Sequence, residues 1–125
     1  MLASVESDVS MKPNNTWTED WEIGLKPKKE AKVSRELLDI FTTFWDSADL
    51  DSKSKTTQRR YSNGLQALGG YIVEKAVDEF EDKSKSTYQM LIDEIDAGEG
   101  PLIFYDNEEW QRELDTVCRK LYKYV

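Results

Sequence analysis

Four cations, Lys53, Lys55, Arg59 and Arg60, crowd into DSKSKTTQRRYSNGLQALGGYI at 51–72, in a chain of formal net charge -8. Basic side chains at the start of a helix suit phosphate oxygens, which makes this stretch the candidate nucleic-acid contact. Carboxylates gather instead in DEIDAGEG, where Asp93, Glu94, Asp96 and Glu99 are the candidates for magnesium or acid–base chemistry. On a helix, Asp93 and Asp96 share a face opposite Leu91 and Ile95, which is the pattern of a solvated acidic face. Trp17 and Trp21, four apart in NNTWTEDWEIGL, put two indoles on one side of a helical turn. Such a pair either docks on the body of the protein or serves as a hook for a partner.

Much chemistry is excluded by what is missing. The chain has no histidine, so the commonest general base, the commonest metal ligand and any Ser-His-Asp or Cys-His system are absent. Its single cysteine, Cys118, can build neither a zinc site nor an intramolecular disulfide, and it sits among apolar residues at helical spacing, as a packed thiol does. Neither G-x-x-x-x-G-K-[ST] nor G-x-G-x-x-G occurs. The reading is of a non-enzymatic protein with no catalytic, cofactor-binding or metal-binding residues.

The elements that must position these side chains are helical. SRELLDIFTTFWDSADL opens on the N-cap candidate Ser34 and repeats apolar residues at Leu37, Phe41, Phe44, Trp45 and Ala48. A second helix is expected from Ser54 or Thr56 to about Phe80, with a stripe at Tyr61, Leu65, Leu68, Ile72 and Ala76. Gly64, Gly69 and Gly70 lie inside it, each costing about 1 kcal/mol relative to alanine, so either a neighbour crosses closely there or the helix breaks. STYQMLIDEIDAGEG predicts a shorter helix with Tyr88, Leu91, Ile92 and Ile95 buried and Gly98 as its stop. LIFY at 102–105 reads as an extended connector filling a groove. DNEEWQRELDTVCRKLYKYV then has the D-x-x-E capping box at Asp106 and Glu109, and a buried stripe of Trp110, Leu114, Val117, Cys118 and Leu121.

These pieces predict an all-α fold: a single-domain bundle of about four helices, residues 33–125, with a partly docked N-terminal arm and linker over 1–32. KPKKEAK at 26–32 is the linker, with one helix-breaking proline. A chain of 125 residues buries enough surface to fold without staples. No apolar run approaches a membrane span, and MLASVESDVSMK lacks the basic start and apolar stretch of a signal peptide, so the expected location is cytoplasmic; Met11 stands as an alternative start. Acidity is concentrated in residues 81–125, which hold 11 acids against 6 bases. That balance disfavours non-specific nucleic-acid or membrane binding.

The run LLDIFTTFWDSADLDSKSKTTQRRYSNGLQALGGYI at 37–72 resembles the first two helices of the N-terminal core-binding, SAM-like domain of tyrosine recombinases. Matching positions are Leu38 and Phe41, then the loop at 54–57, then Arg60, Tyr61, Leu65 and Leu68. The resemblance implies a helical clamp touching DNA backbone through the loop and the second helix's start. It does not imply recombinase activity, since the chain is acidic and has no candidate Arg/His/Arg/Tyr set. Two functions are therefore carried forward. The first is a small interaction or regulatory domain acting on an unknown protein partner, with Trp17 and Trp21 as candidate partner contacts. The alternative is a stand-alone nucleic-acid-binding domain using Lys53, Lys55, Arg59 and Arg60, joined by Lys83 and Lys85 if these converge on one face.

Overall fold

A computed structural model describes residues 11–78 and 84–125. Five α-helices and one 3-10 turn make up the described residues, which contain no strand: α1 (Thr16–Trp21), α2 (Pro27–Ser47), the 3-10 turn (Leu50–Ser52), α3 (Lys55–Ala76), α4 (Thr87–Ile95) and α5 (Glu108–Tyr122). The all-α expectation holds. Helix α3 is the axis of the fold and touches every other helix. No helix among the described residues is long and apolar enough to cross a membrane.

The arm is part of the core. Trp17 and Trp21 are buried, the latter 3 % exposed, and their rings meet edge to face at 6.0 Å. Trp21 also meets the edge of Phe41 and donates its indole N–H to the Gln66 carbonyl oxygen at 2.9 Å. Both indoles are thus spent on packing, so neither is presented to a partner.

Residues 27–32 do not form a linker, because α2 begins at Pro27. Proline is well suited to the first helical position, where its missing N–H would have no helical partner. The N-terminal end is held instead by Glu30, whose buried carboxylate accepts from the backbone N–H groups of Ile23 (2.6 Å), Gly24 (2.9 Å) and Lys26 (2.7 Å). Ser34 consequently lies inside the helix rather than capping it, with a buried hydroxyl that has no partner among the described residues.

This carboxylate ties the arm to the body and sets a pH dependence. The Lys26 N–H, helped by those of Gly24, Ile23 and Leu25, holds the Glu30 pKa below the ordinary range, against burial, which pushes it up. A folded pKa below the unfolded value of about 4.3 means that the contribution is complete at neutral pH. It weakens as pH falls past that value and is lost once pH passes below the folded pKa. Glu30→Gln is expected to lower Tm at neutral pH by about 5 °C or more. The gap to wild type should narrow on acidification from pH 7 to about 3 in calorimetry, because the wild type then loses the same interaction. Equal melting temperatures at neutral pH would show that the carboxylate does not latch the arm.

The remaining caps follow local chemistry. Ser54 Oγ accepts from the Thr57 N–H at 3.2 Å, and Ser86 Oγ from the Gln89 N–H at 3.1 Å. Gly98, at φ +82°, follows the end of α4. Helix α3 is unbroken and ends at Ala76 rather than near Phe80, a residue outside the described ones. The cap of α5 is Asn107, not Asp106: the Asn107 Oδ1 accepts from the Trp110 N–H at 3.0 Å. The connector before it is held by side chains. Gln111 Oε1 accepts from the N–H groups of Ile103 and Phe104, both at 3.0 Å, so these two backbone groups are satisfied without a partner strand.

Candidate functional site

The cations at 53–60 do not form one continuous grip. Lys53 lies in the loop before α3, whose backbone is pinned by Gln58 Nε2 donating to the carbonyl oxygens of Asp51 and Lys53. Lys55 and Arg59, exposed and four apart, form a row on α3 that continues to Asn63. Arg60 lies on the neighbouring row and turns to α5, where its Nε donates to Glu113 Oε1 at 3.3 Å. The acids beside the lysines have other partners: Asp51 accepts from the Trp45 indole at 2.8 Å and Asp49 from the Ser52 hydroxyl at 2.8 Å. Lys85 pairs with Asp93 at 2.8 Å, and Lys83 lies outside the described residues.

Two of the four DEIDAGEG carboxylates, Asp93 and Glu94, are taken up by separate cations. Lys85 and Gln89 hold the Asp93 carboxyl below its ordinary range, and Glu94 pairs with Lys75 of α3 at 2.7 Å. Cys118 is enclosed. Burial, with Asp115 and Glu94 nearby, pushes its thiol up to about 12, so it stays protonated and unreactive at neutral pH.

What the fold assembles instead is a cleft of about 220 Å³ beside Arg60. Arg60, Asn63 and Gly64 of α3 form one side, and Glu113 and Leu114 of α5 the other, while Phe104 and Trp110 add an aromatic wall. Close packing of α3 on α5 sits behind it, since a Cβ at Gly64 would lie 2.8 Å from Val117 Cγ2. A shallower depression shares Arg60 and Glu113 and adds Glu109, Arg112 and Thr116.

Trp110 does not join the buried stripe of α5. Trp110 is 57 % exposed, and its ring meets that of Phe104 edge to face at 5.6 Å. Leu114, Val117, Cys118 and Leu121 fill the core, whereas the indole, in the first turn of α5, lies beyond it and leans on the connector. Leu102 and Tyr105 of the same connector are 59 % and 78 % exposed. Tyr88, also expected inside, is exposed on α4. The cleft thus joins an apolar lining, an open indole and an arginine whose guanidinium makes a single long contact among the described residues, a combination suited to holding a side chain rather than to bond-making chemistry. Sequence spacing shows neither Phe104 against Trp110 nor Arg60 against Glu113; an aromatic in the first turn of a strongly capped helix is the one local signal.

No family model matches the chain, and neither does any curated protein or solved structure.

Proposed function

We propose that this protein is a non-catalytic helical interaction domain, acting in the cytoplasm through protein contacts, with the cleft between α3 and α5 as its docking face. One observation carries the reading: a fold that buries Trp17, Trp21 and Trp45 leaves Trp110 open on an apolar cleft. Exposed tryptophan and arginine are among the residue types that dominate binding energy at protein interfaces, and Trp110 and Arg60 line the cleft together, with the exposed Tyr105 next in sequence to its Phe104.

The nucleic-acid reading draws on fewer cations than the sequence offers. Lys85 pairs with Asp93, the cations at 53–60 do not form one continuous grip, and the chain carries a net charge of -8. Few neutralised phosphates give weak binding at physiological salt.

A photo-crosslinking residue at Tyr105, with one at Asp20 on α1 as control, tests the reading in the native host. A discrete heavier adduct is expected from position 105 alone, and Trp110→Ala should remove it. The same adducts from both positions, or none from 105, would overturn it. So would binding of mixed-sequence DNA at micromolar concentration and about 150 mM salt that disappears in the Arg59→Glu, Arg60→Glu double variant.

A further inference from the structure

We propose that the cleft takes an acidic peptide segment, whose single bulky apolar side chain enters between Trp110 and Phe104 while a neighbouring carboxylate meets Arg60. This rests on the docking reading above and names the partner's chemistry.

Size decides between a small molecule and a side chain. The cleft, at about 220 Å³, is smaller than the roughly 300–1,000 Å³ of small-molecule sites, and it runs into the more open depression of about 410 Å³ that shares Arg60 and Glu113, so it suits one anchor residue with the rest of a longer ligand lying outside.

Charge complementarity comes from α3. Its first turn holds no acid and begins with Lys55; Arg59 and Arg60 follow one turn later. Cations oppose the positive end of a helix dipole, so this arrangement does not serve the helix itself. Helix α5 shows the reverse and favourable order, with Glu108 and Glu109 in its first turn and Arg119 and Lys120 in its last. Arg60 donates only through Nε, to Glu113, and its terminal nitrogens have no partner among the described residues. They are available to an incoming carboxylate, for which arginine is geometrically suited. Arg59 is exposed on the same helix one turn before Asn63 of the lining and continues the cationic row from Lys55.

A single-stranded nucleic acid could also stack on an indole beside arginines. The surroundings favour the peptide. Glu113 lines the cleft and Glu109 the adjoining depression, where a backbone with a charge at every nucleotide would meet both. A peptide can lay its uncharged anchor in the cleft and keep its acids over Arg59 and Arg60.

Selection of a random phage-displayed peptide library on the wild-type protein, with Trp110→Ala protein as counter-selection, tests this. Enriched peptides are expected to place Asp or Glu close to a Leu, Ile or Phe. Synthetic, fluorescein-labelled versions should bind about tenfold or more weakly to the Arg59→Gln, Arg60→Gln double variant, and more weakly at high salt. Circular dichroism should show both variant proteins folded, since all three side chains are exposed. Peptides that need Trp110 but carry no acids and ignore the arginine changes would overturn the acidic partner while leaving the docking face standing. No enrichment over the Trp110→Ala protein would overturn both. Mixed-sequence single-stranded DNA that displaces the peptides and binds more tightly would overturn the inference in favour of nucleic acid.

Discussion

Trp21→Ala is expected to cost about 3–5 kcal/mol of stability, the range for emptying a buried tryptophan site. The indole is 3 % exposed, lies edge to face with both Trp17 and Phe41, and ties the arm to α3 through Gln66. Its hydrogen bond is the smaller part of the loss, because a neutral one is worth only about 1 kcal/mol net. Packing supplies the rest, and Trp17 loses its ring partner as well. In a domain of this size the change corresponds to a fall in Tm of about 10–20 °C. Urea denaturation should show a lower midpoint with an unchanged slope if the arm belongs to the same cooperative unit. A loss below about 1 kcal/mol would mean that the arm is not docked in solution and that its tryptophans are free for a partner.

Gly69→Ala and Gly70→Ala, one residue apart in α3, are expected to move stability in opposite directions. A Cβ at Gly69 would lie 2.2 Å from Trp21 Cζ2 and 2.4 Å from Cε2. The ring cannot swing aside cheaply, being hydrogen-bonded and enclosed by Trp17 and Phe41. Overpacking usually costs about 1–3 kcal/mol, and this contact is severe, so even after the gain of about 1 kcal/mol in helix propensity the expected net loss is about 2 kcal/mol. At Gly70 the nearest atom to a new Cβ is Trp21 Cδ1 at 3.5 Å, an ordinary contact. There the propensity term is unopposed, and a gain of up to about 1 kcal/mol is expected. Two stabilising substitutions would show that Trp21 does not rest on α3.

The sequence by itself determined what is local. Apolar residues at helical spacing define α2, α3, α4 and most of α5, because a helix buries the same face every turn whatever it packs against. Ser54 is legible as one of two helix starts, and Gly98 as a stop, because each acts on backbone groups within a few residues. Local signals misled where a side chain reached further. Pro27 reads as a breaker until Glu30 gathers the preceding N–H groups and lets it open α2, and Asp106 reads as the cap that Asn107 in fact provides.

Only the tertiary structure decided which apolar residues stay outside and what stands beside them. The periodicity of α5 assigns Trp110 to the buried stripe, but burial also requires a neighbour at that level, and the connector leaves the ring half covered. Spacing flagged Gly69 without revealing that its neighbour is an indole from the arm, far away along the chain. The cleft joins α3, the connector and α5 across such separations, and Arg60 finds Glu113 only once the two helices pack. Such pairings depend on the path of the whole chain through space, which no local pattern of residues encodes on its own.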